Sequence, residues 1–182
     1  MRLDGENWIL SPTDLSEFLA CEHLTNSKVR AWRGERRKLP TADDPHTAIV
    51  KRRGDEHESE QIALLEAEAG EKAVDLSIAY EDRPKTTTDM AAAAERTLEV
   101  MKHGPKLITQ APIFDSENPW FGSTEDKGAL DPEDPAAAGF GLVDCLRRVD
   151  SVASGLGDYH YEIVEIKLAA DEQAMFEDRK ST

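Results

Sequence analysis

The sequence predicts a single α/β domain of α+β-like order, with N-terminal helices packed on a mixed central β-sheet. Three observations predict it. The chain has 182 residues, enough for one domain with its own hydrophobic core. Apolar residues recur at helical spacing through much of the first hundred positions. Strand-like segments then cluster, the order of an α+β or mixed α/β fold.

Residues 1–10 read as a short extended lead with Trp8, Ile9 and Leu10 apolar. Ser11-Pro12-Thr13-Asp14 starts a helix: Ser11 is the N-cap, Pro12 takes the first helical position and Asp14 lies in the first turn. Leu15, Phe18, Leu19 and Leu24 carry the helical spacing on to about Trp32. A basic, then Pro/Asp-rich loop follows from Gly34 to Pro45, and a second helix runs from about Pro45 to Ala69, stopping at Gly70. Val74 to Ala79 is a candidate strand, Asp82 to Lys85 a turn, and Thr88 to Lys102 an Ala-rich helix ending at His103-Gly104-Pro105. Residues 107–113 form a strand, with Trp120-Phe121-Gly122 after a short turn. Residues 123–138 are an acidic, Pro/Ala-rich insertion expected to be mobile. Gly139 to Val149 and Tyr159 to Leu168 are the clearest strands, and 169–182 is a polar tail expected to fray. The domain therefore divides into an N-terminal helix and basic loop (1–45), a core (46–168) and the tail.

Composition excludes several classes. Hydrophobic residues make up 39% and charged residues 32%, and no apolar run approaches the ~20 residues of a membrane span. No secretory signal opens the sequence, and two cysteines cannot build a disulfide framework. A reducing cytoplasm is the expected location. Aromatics are only 6%, so a core of Leu, Ile, Val and Ala is expected. The net charge of −15 is unevenly spread. Lys28 to Arg53 holds nine basic residues and three acids, a local +6 that leaves −21 elsewhere. One basic lobe on an acidic body suits a polyanion approaching one edge; an acid-rich protein from a saline cytoplasm is the plainer alternative.

The chemistry concentrates in the last two strands. Along Tyr159 to Leu168, period-two alternation puts Tyr161, Ile163, Glu165 and Lys167 on one face. A carboxylate and an ammonium there are costly to bury unless they pair or bind something. Asp144 shares its face with Leu142 and Leu146. If the strands are neighbours, Asp144 and Glu165 converge with Lys167 beside them. Two hard carboxylates, the Ile166 carbonyl and water make a Mg²⁺ or Mn²⁺ site. Lys167 then steadies the attacking water or a developing oxyanion. The plainer alternative is a cross-strand ion pair worth about 0.2–1 kcal/mol. In the second helix Glu58 shares a face with Ile62 and Leu65, and Gly54 one turn earlier is expected to let the helix approach a sheet. His57 lies about 100° round the helix. Either residue completes a metal shell, or His57 is a half-buried helix histidine and Glu58 a solvated acid.

Together these segments resemble the PD-(D/E)XK nuclease superfamily, and within it the RecB-like nucleases related to the CRISPR-associated RecB-type exonucleases. The resemblance rests on residues 10–15 and 18–25, Arg53-Gly54-Asp55-Glu56-His57-Glu58, residues 141–150, and residues 156–168, in the family's order. It implies a restriction-endonuclease-like core and Mg²⁺- or Mn²⁺-dependent hydrolysis of DNA phosphodiesters at ends or in single strands, in DNA repair or defence. Asp144 is then the motif acid, Glu165 and Lys167 the second acid and lysine, and Glu58 or His57 the ligand from the helix. Arg33, Arg36, Arg37, Lys38, Lys51, Arg52 and Arg53 would contact phosphates, and a helicase or a second nuclease segment is the implied protein partner. Three departures stand out. Residues 122–138 interrupt the approach to the Asp144 strand. Relatives continue past the lysine strand with a helix carrying a Gln and Tyr pair and a further strand, which residues 169–182 do not supply. Some relatives hold a 4Fe–4S cluster on one early and three late cysteines; Cys21 matches the early one, the late trio is missing and Cys145 lies on a strand, so no cluster is expected and Cys21 reads as a buried helix cysteine. The C-terminal part of the core is thus expected to be missing, which suits a piece of a longer protein, a decayed gene product or half of a complex. The alternative function is a catalytically inactive nucleic-acid-binding or scaffold module. A third reading is a generic acidic domain in which Glu165 and Lys167 form an ordinary ion pair.

Overall fold

A computed structural model describes residues 2–5, 7–35, 45–116 and 137–167. The chain is mixed α/β: four α-helices and six strands, among the described residues, with the strands in one open mixed sheet. The extended lead is in fact a hairpin, β1 (Arg2–Asp4) antiparallel to β2 (Asn7–Leu10). α1 (Pro12–Ala20) starts as its cap predicts. The Ser11 hydroxyl accepts from the Asp14 amide, and the Asp14 carboxylate accepts from the Ser11 amide at 2.8 Å.

The helix expected to run on to Trp32 does not. Cys21 takes an extended backbone, φ −161° and ψ 96°, and α2 (Glu22–Trp32) starts afresh. The break folds α2 back along α1, where Lys28 meets Glu17 in an ion pair. No Gly or Pro marks it in the sequence. α3 (Pro45–Ala69) matches its expected span, and Gly70 follows it.

The candidate strand at 74–79 shrinks to β3 (Val74–Asp75), followed by a 3₁₀ turn at Tyr80–Asp82. α4 (Thr87–His103) begins one residue before the expected start, because Thr86 and Asp89 form a second capping box. β4 (Leu107–Asp115) returns parallel to β3, so β3-α4-β4 is a crossover unit. Thr97 of α4 donates to the Pro112 carbonyl at 2.8 Å and seats the helix on the strand. Pro112 lies beyond the last residue paired with β3, where a missing N–H costs no ladder bond to that strand.

β5 (Ala137–Val149) is the longest strand and the centre of the sheet. It takes up residues 137 and 138, which were expected to belong to the insertion; residues 123–136 lie outside the described residues. One side of β5 pairs antiparallel with β4 from Asp115↔Gly139 to Leu107↔Arg147. Its other partners divide its length: β2 runs parallel along Ala137–Gly139, and β6 (His160–Val164) antiparallel along Cys145–Val149. The expected strand at 159–168 therefore ends at Val164, and residues 165–167 extend past the ladder. Gly141 lets α1 close on the sheet, since a Cβ there would lie 3.3 Å from the Pro12 ring.

The core gathers Leu76, Ile108, Ala111, Val143 and Leu146, flanked by Val74, Val100, Met101 and Tyr161. Trp8, Met90 and Cys145 are also buried, so it is less purely aliphatic than composition suggests. Among the described residues no helix is long and apolar enough to cross a membrane.

Candidate functional site

The β5–β6 hairpin brings Asp144 and residues 165–167 together. Cys145 pairs with Val164, and one step further along the same register sets Asp144 against Glu165. The contact is direct: the Ile166 amide donates to Asp144 Oδ2 at 2.8 Å. That bond holds the half-buried Asp144 carboxylate against the strand end and leaves Oδ1 for another partner. Glu165 and Lys167 are two residues apart, and Lys167 Nζ lies 2.8 Å from Glu165 Oε1. Their side chains are 64% and 70% exposed. At that exposure the pair adds little stability. It is an ion pair within the segment, not across strands, and neither group is buried on an apolar face as the strand reading expects.

α3 contributes Glu58. Its carboxylate accepts a hydrogen bond from the Gln110 side-chain amide of β4. The register runs Thr109↔Cys145 and Ala111↔Val143, so Gln110 stands across from Asp144. Three strands and one helix thus place Glu58, Gln110, Asp144 and residues 165–167 around one stretch of the sheet. His57 is half-buried one position before Glu58. The close approach expected at Gly54 is not made: a Cβ there would meet nothing within 4 Å. The polar Glu58–Gln110 contact, rather than a glycine, brings α3 to β4.

Sequence reasoning missed Gln110. A glutamine between Thr109 and Ala111 carries no motif, and its backbone, φ 50° inside a strand, cannot be read from residue type.

The basic residues divide. Arg33 is exposed at the end of α2, and Lys51, Arg52 and Arg53 are exposed along α3. Arg52 Nε lies 3.7 Å from Glu56 Oε1. Arg36, Arg37 and Lys38 lie outside the described residues. Cys21, expected to be a buried helix residue, is exposed at the α1–α2 break, because the chain leaves helical geometry there. Cys145 is fully buried beside Asp144, and burial pushes its thiol up, away from the thiolate a soft metal needs.

For a divalent ion the donors match in kind, being carboxylate and carbonyl oxygens. Among the described residues no three His, Cys, Asp or Glu side chains group closely enough to hold a metal. The set on offer is two carboxylates, Asp144 and Glu165, with the carbonyl of Ile166, the residue after Glu165. Compared with known proteins, the chain matches no family model, no curated protein and no solved structure.

Proposed function

We propose that this chain is a Mg²⁺- or Mn²⁺-dependent nuclease that hydrolyses DNA phosphodiester bonds at ends or in single strands, on a restriction-endonuclease-like core. The observation that carries the reading is the 2.8 Å bond from the Ile166 amide to Asp144, which ties the strand acid to the Glu165-Ile166-Lys167 segment. Asp144, Glu165 and the Ile166 carbonyl would hold the ion, with Glu58 or His57 completing its shell. A bound divalent ion supplies Lewis acidity and eases deprotonation of water. Lys167, within reach of Glu165, orients the attacking water or neutralises charge on the phosphate oxygens. Arg33 and the Lys51-Arg52-Arg53 run of α3 bind the phosphate backbone, together with Arg36, Arg37 and Lys38 of the same basic stretch of sequence. This reading carries with it a cytoplasmic location and a helicase or second nuclease segment as protein partner.

A second reading is favoured by one observation. Glu165 and Lys167 are already paired and solvent-exposed, as in a nucleic-acid-binding or scaffold module that does not cleave. The two readings separate in one experiment. For a nuclease, Mn²⁺ at about 100 times its Kd raises Tm by about 5–10 °C. The chain then degrades DNA, and Lys167→Ala lowers the rate about 10²- to 10³-fold. Degradation that survives Lys167→Ala removes the mechanism, and salt-sensitive DNA binding without Mn²⁺ stabilisation or cleavage establishes the second reading.

A further inference from the structure

α1 turns an apolar face to solvent. Leu15, Phe18 and Leu19 stand at the i, i+3, i+4 spacing of one helix face, and all three are exposed, Leu19 at 77%. The helix is anchored instead by its first turn, where Asp14 is buried and Pro12 lies against Gly141. Exposed apolar side chains grouped in this way, unlike ones scattered singly, mark an interaction surface. The face is bordered by acid: α1 holds Asp14 and Glu17 and no basic residue, and the exposed Glu22 opens α2 just after it. α3 carries the counterpart. Ile49 and Val50 are each 48% exposed, and Arg53, three and four residues on, lies on the same side of the helix. Arg52 is engaged by Glu56 of its own helix, whereas Glu22, Lys51 and Arg53 make no ion pair among the described residues. The chain thus exposes two apolar helix faces whose borders differ in sign.

We infer that these two faces bind each other between two copies of this chain: Leu15, Phe18 and Leu19 of one copy pack on Ile49 and Val50 of the other, with Glu22 opposite Arg53. Charge selects this pairing. Each copy carries −15 overall, so the Lys51-Arg52-Arg53 run is the part that a second acidic copy can approach without repulsion. α3 against α3 would bring two basic runs together, and α1 against α1 two acid-bordered faces. Unlike faces also let the contact be made twice, α1 of each copy on α3 of the other, which closes a two-fold dimer. Burial of the apolar side chains drives the association, and the charges fix which face meets which. The same basic run is given to phosphate under the nuclease reading, so DNA and a second copy compete for it; the dimer contact itself needs neither metal nor cleavage.

The test is sedimentation equilibrium of the full chain over a range of micromolar concentrations, without DNA or metal. The unsubstituted chain shows a concentration-dependent dimer. Leu19→Glu and Val50→Glu each weaken it at least about tenfold. Both side chains face solvent in the single copy, so each variant keeps the unsubstituted Tm at a dilution where the chain is monomeric. Arg53→Glu and Glu22→Lys each weaken the dimer about three- to tenfold. Mixed in equal amounts, these two variants form a heterodimer within about threefold of the unsubstituted affinity, because both contacts then join opposite charges. A chain that stays monomeric at every concentration overturns the inference, whatever else covers α1. Loss of the dimer in Leu19→Glu alone means that α1 meets α1, and loss in Val50→Glu alone that α3 meets α3. A mixture that fails to re-form the dimer means that Glu22 and Arg53 do not face each other. Each of these results overturns the pairing, as does a dimer indifferent to all four substitutions.

Discussion

Tyr161 shows how one hydroxyl ties the site hairpin to the helical layer. Its OH donates to the Pro105 carbonyl at 2.6 Å, just past the end of α4, and its ring packs on the core cluster. Burial pushes the phenol from 10.0 up to about 12. The folded state therefore keeps a proton that the unfolded chain gives up near pH 10. This stabilisation is complete below pH 10 and is lost as pH rises through about 12. Urea unfolding followed from pH 9 to 12 should show a fall between 10 and 12 that Tyr161→Phe flattens; an identical fall in the phenylalanine variant would mean that other groups cause it. Single residues also mark where reading from sequence succeeds. Asp144 was visible because an acid between Leu142 and Leu146 contradicts an apolar strand, and such a contradiction is local. Gln110 was invisible because its significance lies in a backbone angle and in a partner 52 positions away. Cys21 was misread because burial depends on how α2 folds back, not on the residue.

Helix boundaries follow from side-chain chemistry within a few residues, and this is why they were mostly legible. Ser11 and Asp14 close one capping box, and Thr86 and Asp89 another; the second begins earlier than the apolar pattern suggests because caps, not periodicity, decide a first turn. The C-terminus of α4 draws on tertiary partners as well. Gly104 sits at φ 72°, ψ 33°, where a Cβ would lie 2.9 Å from Arg148 Nη1. Arg148 donates to the Gly104 carbonyl at 2.7 Å and stacks over the Tyr159 ring at 4.1 Å. The Tyr159 hydroxyl in turn donates to the Met101 carbonyl at 2.8 Å. Two side chains flanking the β5–β6 turn thus satisfy the last carbonyls of α4. Gly104→Ala should cost about 1–2 kcal/mol for the left-handed backbone, a Tm drop of about 2–8 °C for a chain of this length, and more if Arg148 cannot move aside; an unchanged Tm by calorimetry would show that the cap is slack. The α1–α2 break had no such local signal, since no glycine or proline stands near Cys21.

Across the whole molecule the charge is divided, with −15 overall and a basic lobe at Lys28–Arg53. On the proposed nuclease reading, single-stranded DNA bound by that lobe would release counterions, and its affinity would fall with log salt at a slope of roughly −0.7 per phosphate neutralised. Replacing Lys51, Arg52 and Arg53 together by alanine should flatten the slope by up to about 2 and weaken all sequences alike. A slope unchanged in a salt titration followed by fluorescence anisotropy would place the nucleic-acid surface elsewhere. Residue order alone determined the class of fold, the spans of α3 and α4 to within a residue or two, the start of α1 and the acid on β5, because propensity, capping and alternation act over a handful of neighbours. Tertiary structure alone decided that β5 takes three partners, that β6 ends before Glu165, that α1 and α2 part at Cys21, and that Glu58 reaches the sheet through Gln110. Those outcomes depend on register and helix placement, which are set by which distant surfaces can be buried together, and no short stretch of sequence contains that information.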